Sequence, residues 1–171
     1  EDPHGDVARR LGISRRGAKV VNFGVLYGMG SEKLAKTINV STKEADKIIN
    51  VDYLRTYAGF AAWKVQTENF VKRHGFVKNI FGRIRRLPNA TKGPLERTPK
   101  EFYGALRQSI NSPIQGSGAD MVKLAMIKMA TRFKEEGIDA HLVLQVHDEV
   151  LVEVSIPDMY RAQEIVIDSM E

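Results

Sequence analysis

One stretch of this chain narrows the folds open to it: Arg15 to Gly30, read as Arg-Arg-Gly-Ala-Lys-Val-Val-Asn-Phe-Gly-Val-Leu-Tyr-Gly-Met-Gly. On an α-helix, Arg15, Lys19, Phe23 and Tyr27 recur every four residues and drift only about 40° per step, so they form one slanting stripe. Ala18, Val21 and Val25 fall on the far side, where they would pack against a core. An ordinary amphipathic helix satisfies that pattern. So does a nucleotide-binding helix, in which two cations one turn apart grip neighbouring phosphates and two rings offer flat surfaces to a sugar and a base. The two readings are compatible. Gly17, Gly24 and Gly28 each weaken a helix interior by about 0.5–1 kcal/mol relative to Ala. Small residues make sense where another backbone, a base pair or a ligand comes close, or where the helix must swing.

The rest of the chain sets bounds on what such a helix could serve. With 171 residues and 43% hydrophobic content, the chain can bury a real core. A formal charge of +5 suits a polyanionic partner without requiring one. The bias is sharper locally: from Lys72 to Arg107, ten cations face only Glu96 and Glu101, a candidate phosphate track. The absence of cysteine excludes disulfides, thiolate metal sites and cysteine nucleophiles. No apolar run is long enough to span a bilayer, and Glu1-Asp2-Pro3-His4 lacks the regions of a signal peptide. A soluble intracellular protein without membrane contact is expected. The first residue is not Met and the chain stops inside a helical pattern, so a piece of a longer chain is expected too.

Local signals predict a mainly helical chain. Asp6 to Leu11 reads as a short helix closed by Gly12, and Ser14 stands where the cap of the principal helix belongs. Ser31 is placed to cap a helix to Ile38, and Ser41 with Glu44 forms a capping box for one reaching Tyr57. Gly59 is expected to break the pattern before a helix from Phe60 to His74, with Phe60, Trp63 and Phe70 as core and Gly75 as its stop. Two β-prone runs, 76–80 and 84–87, suggest a hairpin turning at Gly82, followed by a surface loop. Thr98, Pro99 and Glu101 begin the next helix, which Pro113 should end or kink, with Ser112 capping its successor. Met121, Val122, Ala125 and Met129 recur at helical spacing as core. The runs 142–146 and 150–154 form a second hairpin with His147, Asp148 and Glu149 at its tip, and a helix follows from Met159 to Met170.

The stripe with its Tyr-Gly ending resembles the Arg-x-x-x-Lys-x-x-x-Phe-x-x-x-Tyr-Gly signature of the fingers helix in family A DNA polymerases. Arg107-x-x-x-Asn111-x-Pro113-x-Gln115-Gly116 and Gln145-Val146-His147-Asp148-Glu149 follow in the family's order. Asp2-x-His4 is similar to a further element, whose His lies near the triphosphate. One departure is Tyr57-Ala58-Gly59, where the family often has Tyr-Pro-Gly; it falls at a helix junction.

The resemblance implies an α+β, mainly helical fragment of a right-hand polymerase fold, with fingers helices and part of an antiparallel palm sheet bearing a catalytic hairpin. By this reading 1–75 are fingers helices, 76–112 a basic hairpin, loop and helix joining fingers to palm, and 113–171 part of the palm. It implies nucleotide contacts by His4, Arg15, Lys19, Phe23 and Tyr27. DNA contacts fall to Arg107, Asn111, Gln115, Gln145 and His147. Long or amide side chains suit minor-groove edges, whose acceptors are placed alike for every base pair. Catalysis is implied for Asp148, Glu149 and Lys19, with Asp148 a ligand of two Mg²⁺ ions whose second carboxylate lies outside this chain. Taken alone, the hairpin tip could be a plain acidic turn, and Asn111 a capping residue beside Pro113.

The implied partners are primer-template DNA and dNTP, for a protein acting as a monomer. If the source is bacterial, a cytoplasmic, nucleoid-associated location is expected; phage and organellar sources stay open. The fragment alone is expected to be inactive. A rival is a single-subunit phage-type RNA polymerase, which shares the Lys and Tyr-Gly but usually follows His-Asp with Ser. Another is a noncatalytic nucleic-acid-binding module, which has no use for Asp148.

Overall fold

The computed structural model describes residues 2–147 and 149–171; Glu1 and Asp148 lie outside the described residues. The chain is mainly helical with small antiparallel sheets, and it divides into two compact units, Glu1–Ile114 and Gln115–Glu171.

In the first unit, α1 (Pro3–Leu11) begins earlier than expected, because the Asp2 carboxylate accepts the His4 amide at 3.2 Å and Pro3 is already set for the first turn. Next, α2 (Arg15–Leu26) opens at Ser14, whose Oγ accepts the Gly17 amide at 3.1 Å, a cap worth about 1 kcal/mol. Its far side packs as the periodicity predicts. Val21 and Val25 join Leu34, Ala35, Ala45, Ile48 and Tyr53 in one core, and each buried valine contributes about 1.5–3 kcal/mol.

The next helix, α3 (Ser31–Ile38), is capped differently from the expectation. Gly30 occupies the cap position without a side-chain bond, and the Ser31 hydroxyl donates to Asp46 at 3.2 Å. Ser41 does cap α4 (Thr42–Lys47), accepting the Glu44 amide at 3.1 Å. That helix widens into a π-helical stretch, Ile48–Tyr53, and continues as α5 (Leu54–Thr56). The wider turn brings Ile48 and Tyr53, five residues apart, toward the same core. Burial pushes the Tyr53 phenol up to about 12.

Gly59 does not break α6 (Ala58–His74), since it sits in the first turn, where few backbone bonds depend on it. The aromatics of this helix, expected as core, are not fully buried, though Phe60 packs against the first core. Val71 is its buried residue, Phe60 and Trp63 are half-buried, and Phe70 is 41% exposed. Gly75 then ends the helix at φ 70°. The strands β1 (Phe76–Lys78) and β2 (Ile84–Arg86) pair antiparallel, with Gly82 at φ 83° in the turn and Asn79 Oδ1 accepting the amides of Phe81 and Arg83 at 3.0 and 2.9 Å. A second core holds Val71, Val77, Leu87, Ala90, Ala105 and Leu106.

The helix α7 (Pro99–Glu135) starts with a reciprocal cap: the Thr98 amide donates to Glu101 Oε2 at 2.7 Å and the Glu101 amide to Thr98 Oγ1 at 3.2 Å. It does not end at Pro113, and Ser112 lies inside it rather than capping a successor. Proline forfeits one amide donor, and a helix of 37 residues has enough other bonds to carry the loss.

The second unit holds the rest of α7, the hairpin β3 (Ala140–Val146) and β4 (Glu149–Val154), and α8 (Met159–Met170). Ala125, Met129, Phe133, Ala140, Ala162 and Ile165 form its core, while Met121, expected inside, is 57% exposed. The strand register slips between Leu142 and Leu144, so Val143 is an extra residue in the ladder, a bulge of the kind that re-aims the side chains beyond it. Val146 pairs with Glu149, and His147, in the turn that follows β3, has φ 54°. Tight hairpin turns select that left-handed region, and His tolerates it better than most residues. Among the described residues no helix is long and apolar enough to cross a membrane.

Candidate nucleotide-binding site

The outward side of α2 carries the stripe. Arg15, Lys19, Phe23 and Tyr27 are exposed, while Gly17, Ala18, Val21, Asn22, Gly24 and Val25 are buried. The Phe23 and Tyr27 rings stack with centroids 6.0 Å apart and planes 19° from parallel. A cleft of about 810 Å³ opens beside them, lined among others by Lys19, Phe23, Tyr27, Lys33 and Arg107. Cation and ring surfaces therefore face one space large enough for a triphosphate.

The glycines answer to the protein itself. A β-carbon on Gly24 would meet Met29 Sδ at 3.1 Å, where the chain folds back and the Met29 amide donates to the Gly24 carbonyl at 2.7 Å. One on Gly17 would meet the capping Ser14 Oγ at 3.2 Å. Gly28 has φ 69°, and the stem of Arg107 lies over it. Neither a ligand nor a swinging helix is needed to account for these three positions.

Arg15 stands apart from the cleft lining. Its guanidinium binds Asp2 twice, Nε to Oδ2 at 2.7 Å and Nη2 to Oδ1 at 3.2 Å. The hydrogen bond from Arg15 is the main reason the Asp2 carboxyl falls to about 2, and Asp2 in turn raises the arginine. His4 reaches the stripe from α1: its ring lies 5.6 Å from Phe23, and its Nδ1 is 2.8 Å from Asn22 Nδ2. The sequence offered no sign of Asn22 as the partner of His4, because the two are separated by a helix boundary and meet through packing. Lys33 was also missed; its signal is a cation one turn into the helix that follows Gly30.

Along α7, Arg107, Asn111 and Gln115 follow at the same four-residue spacing. Arg107 and Gln115 are exposed. Asn111 Oδ1 is shielded from water without a hydrogen-bond partner among the described residues, an acceptor ready for a donor. Gln145, His147 and Glu149 are exposed at the end of the β3–β4 hairpin, where the Gln145 side-chain amide donates to the His147 carbonyl. Asp148 lies outside the described residues. Among those described, no group of three or more His, Cys, Asp or Glu could hold a metal ion, so Glu149 and its described neighbours do not make a metal centre by themselves.

The family model for DNA polymerase family A matches residues 5–171. The thermostable DNA polymerase I of Thermus filiformis is 39% identical over 92% of this chain, and DNA polymerase I of Bacillus caldotenax is 41% identical over 92%. The chain spans only 18% and 17% of the lengths of these relatives. Among solved structures, the POL domain of Pol1 from M. smegmatis, in complex with DNA primer-template and dNTP, matches 98% of this chain with a TM-score of 0.86 and 30% identity; the match covers 30% of that domain's chain. By family match, sequence identity and shared fold alike, this chain belongs to DNA polymerase family A.

Proposed function

We propose that this chain supplies the nucleotide-binding helix and part of the catalytic surface of a DNA-directed DNA polymerase, which joins a dNTP to a primer 3′-hydroxyl under the direction of a template. The observation that carries the reading is the exposed stripe on α2: Lys19, Phe23 and Tyr27 face one cleft, while the other side of the helix is fixed in the core. Lys19 would take the triphosphate, Phe23 the sugar and Tyr27 the base pair, with Arg15 and His4 at the phosphate end. Arg107, Asn111 and Gln115 would sense base-pair geometry through the minor groove, and Gln145 and His147 would lie near the primer terminus. Mg²⁺ would supply charge stabilisation on the transferring phosphoryl group. Asp148 and Glu149 are the carboxylates this chain offers such ions, and the remaining ligand would come from elsewhere in the protein. The protein would act as a monomer in the cytoplasm.

Binding of a fluorescent dATP analogue to the chain tests the reading. Weak binding that fades as salt rises and is lost in Lys19→Ala is the expected result. Binding indifferent to both would remove the stripe from the site.

A further inference from the structure

We propose that the outer face of the β1–β2 hairpin, with the end of α6 beside it, is a binding surface for single-stranded DNA. In the polymerase reading on which this rests, that strand is the unpaired template.

Phe76 pairs with Arg86 and Lys78 with Ile84 across the two strands, so these four side chains share one face. Val77, between them in sequence, points the other way and is buried in the core. The outer face thus alternates ring, cation and aliphatic side chain. Its aromatic surface is larger than one residue: Phe70 meets Phe76 edge-on at 5.3 Å, and His74 lies 4.3 Å from Phe70 and 6.2 Å from Phe76. Lys78 Nζ stands 5.8 Å from the centre of the Phe76 ring. An open cleft of about 380 Å³ is lined by His74, Phe76, Ile84 and Arg86, roomy enough for a base. The protein leaves this surface open, with Phe70 41% and Ile84 50% exposed.

Charge identifies the occupant. Between Glu68 and Glu96 the chain has seven Lys and Arg residues and no carboxylate. Rings and aliphatic groups in a wholly cationic setting fit a ligand that carries flat apolar faces and regular negative charge together. Single-stranded nucleic acid does so, because its bases are free to stack on side-chain rings while its phosphates meet the cations. A duplex hides its base faces and could use only the cations.

The test is fluorescence anisotropy of the chain with a labelled oligothymidylate and, separately, a blunt duplex, over a range of salt. Phe76→Ala should weaken the single strand about tenfold and spare the duplex. Phe76→Trp should hold or improve on wild type. Lys78→Ala with Arg86→Ala should reduce the salt slope for the single strand by about 1.4. His74→Ala, at an exposed position, provides the same reading if Phe76→Ala fails to fold. Unchanged single-strand affinity in Phe76→Ala and His74→Ala, or equal losses for single strand and duplex in these two variants, would overturn the proposal. Loss of triphosphate binding in the wild type would count against the polymerase reading and leave this surface standing.

Discussion

A β-carbon placed on Gly28 would lie 2.6 Å from Cγ of Arg107, so the arginine stem is seated directly on the residue that follows Tyr27. The contact joins the end of α2 to α7. Gly28→Ala faces two penalties. A side chain at φ 69° costs about 1–2 kcal/mol, and the clash with Arg107 adds to it. Urea unfolding should show a loss larger than the backbone cost alone, and Arg107→Ala in the same chain should restore the excess. A purely additive double mutant would mean the contact carries no energy.

The Arg15–Asp2 pair makes a prediction about pH. Asp2 titrates at about 2 in the folded chain against an ordinary value of 3.8, mainly because Arg15 hydrogen bonds to its charged form. A depressed carboxylate pKa gives stability that is fully present above the ordinary value and lost as pH falls through the folded one. The pair should therefore hold throughout the neutral range and release only below about pH 4, toward 2. Carbon-13 NMR of the Asp2 carboxyl should follow that curve and move up toward the ordinary value in Arg15→Ala. A midpoint unaffected by Arg15→Ala would show the pair to be absent in solution.

The second unit depends on a small core. Met129 is fully buried among Ala125, Phe133, Ile165 and their neighbours, so Met129→Ala should destabilise it by about 2–5 kcal/mol. Met121→Ala, at an exposed position on the same helix, should change stability by less than about 0.5 kcal/mol. Thermal unfolding of the two variants separates them, and equal losses would contradict the placement.

What could be read in the sequence was what acts within a turn or two of helix. Ser14, Ser41 and the Thr98–Glu101 box announce helix starts through short side-chain-to-amide bonds. The spacing of Ala18, Val21 and Val25 announces a buried side, and by subtraction the stripe. The π-helical turn at Ile48–Tyr53 gave no local sign, since it serves a core assembled from distant residues. The passage of α7 through Pro113 was illegible for a related reason: the rule that proline ends a helix describes one lost bond, and a long helix outweighs it. The pairs Asp2–Arg15, His4–Asn22 and Gly28–Arg107 join residues far apart along the chain and became visible only with the packing. The Val143 bulge was equally hidden, because Leu142-Val143-Leu144 is an unbroken apolar run with no alternation whose slip could be seen.

Template-directed incorporation by the intact protein tests the central claim most directly, measured for wild type and Lys19→Ala in single-turnover assays. Lys19 is exposed on α2 and adds little to the core, so folding, followed by circular dichroism, should be unchanged. Losing a charge-assisted contact costs about 1.5–3 kcal/mol, which lowers incorporation by about 10- to 150-fold. A fall of that size or larger, with the fold intact, is the predicted result. Incorporation by Lys19→Ala at the wild-type rate and nucleotide affinity would contradict the assignment of the α2 stripe to the triphosphate.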